Sequence, residues 1–254
     1  EDFIPNEYNG KLYPSRAEKV IQHASKIISK KKLLTEIDYF FPFLEKAIQK
    51  FPENIWLPYY KVKFLQLQGR TDDALNFVKP IVKAKNNDFW TWALLGELYY
   101  ESDQEMSISC FCRALSCPAE ESFIINSRIR LAQQLLKKKY FSEAKFEITK
   151  AIQTKTEQGL SLGFVLSAYT KEEWFTISNT STNNKEFYQS NIQKAEEILF
   201  RDLPWMDGCL LGKFTTPEKP DKPRRKIAFI NQNKKIVSFS VSEKSIKSLN
   251  NIKK

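Results

Sequence analysis

Ala47, Ile81, Ala114 and Ala151 each close a helix-like stretch, at spacings of 34, 33 and 37 residues. A period in this range constrains the fold more than any composition figure. Each unit is one supersecondary element, and it buries its apolar face only against its neighbours. Two units carry the fullest pattern. Trp92, Leu95, Gly96, Tyr99, Ser107, Phe111 and Ala114 return as Arg128, Leu131, Ala132, Leu135, Ala144, Ile148 and Ala151, with Phe141 just before the second helix. Ala74, Val78 and Ile81, and before them Phe40, Leu44 and Ala47 followed by Pro52, repeat the second half alone. A glycine inside a helix costs about 1 kcal/mol against alanine, so Gly96 is read as a close approach by the backbone of its partner helix.

This pattern resembles the tetratricopeptide repeat, a helix-turn-helix unit with the signature W-x2-L-G-x2-Y, A-x3-F-x2-A and a closing proline. The resemblance implies an α-solenoid in which Gly96, Ala114, Ala132 and Ala151 are packing positions between paired helices. Lys61 and Val62 replace the Leu-Gly pair in the second unit. Pro42 falls early in the second helix of the first unit, where only a helix start tolerates it. The units run from Pro14 to Pro52, Asn54 to Asp88, Phe89 to Pro118 and Phe123 to Gln153.

The expected organisation is an N-terminal extension (1–13), divergent repeats (14–153), a helical cap (154–212) and a basic linker with a β-hairpin (213–254). The cap is read as two helices, "SLGFVLSAYTKEEWFTIS" and "NNKEFYQSNIQKAEEILFRDLPW", covering the exposed end of the array, with Pro204 and Gly208 ending the helical part. The fold class is mainly α, which suits a chain with 7 Gly against 70 charged residues.

Charge is concentrated at one end. Residues 213–254 hold twelve Lys and Arg against three Asp and Glu, which accounts for +9 of the formal +10. Only this segment has the electrostatics of a polyanion binder. After "TTPEKPDKPRR", read as a linker, Ile227 and Phe229, then Ile236, Val237, Phe239 and Val241, flank Asn231–Asn233 in the pattern of a β-hairpin. The hairpin resembles the first strands of a cold-shock or S1-type OB barrel, which implies aromatic side chains offered to single-stranded RNA or DNA. Lys222, Arg224, Arg225, Lys226, Phe229, Lys234, Lys235 and Phe239 are the candidate contacts, against the alternative of an ordinary solvated face. Helical repeats joined to an OB-like start are similar to accessory proteins of prokaryotic conflict systems, which implies a role in antiviral defence.

The tetratricopeptide resemblance also implies a peptide groove on the concave face. Carried over residue by residue, the groove comprises Trp56, Lys63 and Gln66, then Trp90, Glu97 and Tyr100, then Asn126, Arg130, Gln133 and Lys137. Trp56 and Trp90, 34 residues apart, are expected to stack on one face, or else to pack between repeats. Lys63, Arg130 and Lys137 could hold an acidic or C-terminal peptide group. The Lys/Asn clamp of chaperone-binding members is incomplete, so a chaperone tail is not implied.

No phosphate loop, nucleophile elbow or paired nucleophile and base occurs, so the expectation is a non-enzyme without metal or cofactor. His23 is the single histidine and reads as a surface residue. Cys110 and Cys112 diverge on a helix and cannot chelate one ion together. Few cysteines and no apolar run of membrane length predict a cytoplasmic protein. A start at Glu1 suggests a piece of a longer protein. The leading expectation is a scaffold holding a protein or peptide partner, and the alternative is a nucleic-acid-binding accessory factor.

Overall fold

Asn9 and Gly10 take positive φ angles of 52° and 71°, the conformation a two-residue hairpin turn requires. They join strands β1 (Asn6–Tyr8) and β2 (Lys11–Tyr13), so residues read as a simple extension form a short antiparallel hairpin. The structure, a computed structural model, describes residues 3–201, 207–217, 219–231 and 233–243. The chain divides into two units, Glu1–Arg201 and Asp202–Lys254.

The first unit is helical beyond its hairpin. The helices are α1 (Arg16–Lys31), α2 (Leu34–Lys50), α3 (Trp56–Leu67), α4 (Thr71–Ala84), α5 (Phe89–Leu98), α6 (Gln104–Leu115), α7 (Glu121–Lys137), α8 (Phe141–Glu157), α9 (Gly163–Tyr169), α10 (Glu173–Ile177) and α11 (Lys185–Phe200). Local chemistry sets several boundaries. Ser15 accepts from the Glu18 amide at the start of α1, and Asp103 accepts from the Met106 amide at the start of α6. From α1 to α8 each helix packs on the next, and each expected repeat unit holds one helix pair.

Burial follows most of the repeat markers, with Phe40, Ile81 and Tyr99 half-buried and Pro52 and Phe141 exposed. Leu44, Ala47, Ala74, Val78, Trp92, Leu95, Phe111, Ala114, Leu131, Ala132, Ala144, Ile148 and Ala151 are fully buried. Ile81 is half-buried, and Val82 takes the buried place because α4 presents residues 74, 78 and 82 as one row. Helix α6 is buried on both sides. Its Cys110 faces a core shared with α3, α4, α5 and α11, whereas Cys112 faces one shared with α7, α8 and α9. The two thiols therefore point into different cores, and burial raises the pKa of both.

Three expectations need correction. Pro42 lies in the middle of α2, and Pro80 lies inside α4 as well. Both are exposed, so the carbonyl that each proline leaves without a helical donor can turn to water. The first cap segment is two short helices, α9 and α10, rather than one. Helix α11 does not cover an end of the array: it packs along α6 and touches α4. Ser109 fixes that crossing, since its hydroxyl donates to the Asn191 carbonyl and accepts from the Ala195 amide at 2.8 Å, both in α11.

In the second unit, β3 (Gly208–Thr216), β4 (Lys219–Ile230) and β5 (Ile236–Ser242) form one antiparallel sheet in the order β3-β4-β5. The expected hairpin is β4–β5, and its register sets Ile227 opposite Phe239 and Ile230 opposite Ile236. The proline-rich "linker" supplies the end of β3 and the first half of β4. Pairing of β4 with β5 begins only at Arg224, so Pro220 and Pro223 lie where the strand has a neighbour on one side alone, a place proline tolerates. Gly208 opens a strand rather than ending a helix. Pro204 and residues 244–254 lie outside the described residues.

Candidate functional site

Residues one period apart occupy equivalent places on successive helix pairs, and the structure shows what this does with polar side chains. Lys63 on α3, Glu97 on α5 and Arg130 on α7 stand in one row. Arg130 donates to Glu97 through Nε at 2.7 Å and through Nη2 at 3.0 Å, a bidentate pair. One turn further along, Gln66, Tyr100 and Gln133 form a second row. Gln66 donates to the Glu97 carbonyl at 3.4 Å, and the Tyr100 hydroxyl donates to Gln133 Oε1 at 2.8 Å. Arg130 and Lys137 both lie over the Tyr100 ring, at 4.6 and 4.8 Å from its centroid.

These rows border a cleft of about 620 Å³. Seven of the ten expected groove residues line it: Trp56, Lys63, Trp90, Glu97, Asn126, Arg130 and Gln133. Gln66, Tyr100 and Lys137 do not line it: Gln66 and Tyr100 hydrogen-bond to residues that do, and Lys137 reaches Tyr100 and Glu101. The apolar walls come largely from residues that repeat reasoning missed, namely Tyr59, Phe89, Phe123 and Val165. Trp56, Phe123 and Val165 are 47%, 64% and 43% exposed, so the cleft presents apolar surface to solvent.

Trp56 and Trp90 do not stack on each other. Trp56 meets Tyr59 edge-on at 6.0 Å, while Trp90 packs half-buried against the core beneath α5.

The cations are unequal. The charge of Arg130 is met by Glu97, and Lys137 has Glu101 at 3.9 Å. Lys63 donates to Gln66 Oε1 at 3.3 Å and makes no ion pair among the described residues. Burial lowers its pKa, Glu97 opposes this and Arg130 adds to it. Burial likewise pushes the nearby Tyr59 hydroxyl up to about 12, with Tyr60 and Glu97 adding to the effect.

A second polar cluster lies between α7, α8 and α11. Arg128 donates to both oxygens of Glu121 and, through Nη1 at 2.7 Å, to the fully buried Glu147. The Tyr188 hydroxyl and the Asn184 amide also donate to Glu147. Burial raises the Glu147 carboxyl above the usual range, against the pull of Arg128, Tyr188 and Asn184. The sequence signal for this cluster is Arg128 itself, a charge standing where the preceding unit has the core residue Trp92.

The basic sheet divides its expected contacts between two faces, because directly opposed residues share a face and successive residues alternate. Arg225, Ile227, Phe229, Val237, Phe239 and Val241 share one face, where the Phe229 and Phe239 rings meet at 6.1 Å. Arg224 and Lys226 lie on the other face with Phe214. Lys222 lies beside a register irregularity, and Lys234 and Lys235 sit in the turn before β5. The eight candidate contacts therefore do not share one face.

Among the described residues no group of three His, Cys, Asp or Glu could hold a metal ion, and no helix is long and apolar enough to cross a membrane. His23 is exposed. The arrangement as a whole is that of a helical protein with an open, aromatic-lined cleft. The chain belongs to a family described as a domain of unknown function (DUF7017), whose profile matches residues 55–195, more than half of its length. That stretch contains every residue lining the cleft as well as the Arg128–Glu147 cluster. The chain matches no curated protein.

Proposed function

We propose that the helical unit is a divergent array of tetratricopeptide-like repeats and serves as a non-enzymatic scaffold that holds a segment of a protein partner in the cleft between α3, α5 and α7. One observation carries this reading: seven residues chosen by repeat position alone line one cleft, together with exposed aromatic side chains. Apolar side chains left open to water beside a few fixed polar groups are what a peptide-binding groove requires. With Arg130 committed to Glu97, the cleft offers less free positive charge than the residue types suggested. An apolar segment carrying at most one acidic group fits it better than a strongly acidic tail.

The test is selection of peptides from a displayed random library on the full chain, repeated on a Trp56→Ala/Phe123→Ala variant. Enrichment of apolar sequences on the wild type and its loss on the variant support the reading. Equal enrichment on both would place the binding surface elsewhere.

A further inference from the structure

The C-terminal sheet sorts its side chains by face. On one face Leu210, Ile227, Phe229, Val237 and Phe239 form an apolar surface, and the charges at its end are internally matched. Glu243 accepts from Arg225 at 3.0 Å and pairs with Lys213 at 3.1 Å. Burial alone would raise the Glu243 carboxyl; the Lys213 and Arg225 contacts outweigh that and hold it below the usual range.

The opposite face carries unmatched charge. Arg224 and Lys226 make no ion pair with a carboxylate among the described residues. Arg224 is held by Ser240, donating through Nη2 to its carbonyl at 2.9 Å and its hydroxyl at 3.1 Å. Lys226 lies 5.9 Å from the centroid of the Phe214 ring. Two cations alternate along one strand, about 6.6 Å apart by strand rise, with an aromatic ring and serine hydroxyls beside them.

We propose that this face, built on Phe214, Arg224 and Lys226, binds single-stranded nucleic acid, with the cations on phosphates and the Phe214 ring on a base. A strand of nucleic acid supplies both a regular row of anions and flat faces to stack, and both complements are present on this one face. An anionic lipid surface is the poorer fit, because it takes broad apolar surface beside the charge; the exposed apolar residues of this face, Ile230 and Ile236, stand at its end beyond Ala228, and the larger apolar surface lies on the opposite face. The proposal is independent of the peptide cleft.

The test uses the full chain and fluorescein-labelled oligodeoxythymidine and oligouridine in an anisotropy titration over a range of salt. Binding to either is expected at low salt. An Arg224→Gln/Lys226→Gln variant with unchanged circular dichroism and melting should bind at least about tenfold more weakly, with a salt slope flatter by about 1.4, or about 0.7 per phosphate contact. Phe214→Leu should weaken binding without changing the slope, and Phe239→Ala on the apolar face should change affinity by less than about twofold, since stacking is lost only where a base is held. Four outcomes would overturn the proposal. They are absence of binding to both oligonucleotides at low salt, wild-type affinity in the Arg224/Lys226 variant, a loss confined to Phe239→Ala, and binding to phosphatidylserine-containing vesicles in place of the oligonucleotides.

Discussion

The edge of the Phe111 ring lies where a side chain on Gly96 would begin: a Cβ there would stand 3.1 Å from both Cε2 and Cζ of Phe111. Sequence reasoning attributes the glycine to an approaching backbone, but the atoms nearest that position are ring carbons. Ser107 holds the same crossing, donating to the Gly96 carbonyl at 2.9 Å. Gly96→Leu is predicted to destabilise the chain by about 3 kcal/mol through overpacking. In a urea-denaturation cycle with Phe111→Ala, the two changes should be less than additive by at least about 1 kcal/mol, because the smaller residue vacates the contested space. Strict additivity would mean that the two positions do not compete.

Glu147 gives a second prediction. Replacing it with Leu leaves Arg128 inside the protein with Glu121 alone, and breaking a buried pair from one side costs about 3–5 kcal/mol. Tyr188→Phe removes one donor to the same carboxylate and should cost about 1–3 kcal/mol. Equilibrium unfolding of both variants checks the ranking. An equal, small effect from each would show that Arg128 is served by Glu121 and solvent.

Lys63 makes stability depend on pH in a defined direction. Its folded pKa lies below the ordinary value, chiefly through burial. The unfolded chain keeps a value near 10.4, so between the two the unfolded chain binds more protons and stability rises with pH. Below that window both forms are protonated and the cost of the buried ammonium is present in full. Lys63→Met should therefore raise the urea midpoint at neutral pH and flatten the rise in the alkaline range. A lower midpoint would show that attraction to Glu97 outweighs burial.

Much of the cleft was legible because the repeat is periodic. Positions 63, 97 and 130, or 56 and 90, lie one period apart, and stacking of helix pairs turns equal sequence spacing into spatial rows. Tyr59 and Phe123 stand on the same periods, Tyr59 two periods before Asn126 and Phe123 one period after Trp90, so equal spacing reaches both although the groove residues carried over from the repeat omit them. The Arg128–Glu147–Tyr188 cluster joins residues with no common period, so the sequence showed only its anomaly, a charge in a core register. Composition misled in β4. Proline is costly only where its missing N–H would meet a partner strand, and pairing on one side cannot be read from Pro220 and Pro223 themselves. The division of the sheet faces depends on the irregular register between Leu210 and Lys213, which alternation within one strand does not reveal.

The exposed aromatic side chains should dominate binding in the cleft. Trp56→Ala and Phe123→Ala should each weaken a selected peptide by at least about tenfold, as buried anchors do, with no loss of helical circular dichroism. Both are exposed in the free chain, so folding does not depend on them. Affinities unchanged in both variants would remove these anchors from the binding surface.

The central claim is that a partner segment lies between α3, α5 and α7, and site-directed photocrosslinking tests it most directly. Asn126 lines the cleft and is exposed, whereas His23 is exposed on α1, away from it. With p-benzoylphenylalanine in place of Asn126, a labelled selected peptide should crosslink, and excess unlabelled peptide should abolish the product; the same group in place of His23 should give none. Crosslinking at position 23 with none at position 126 would contradict the account.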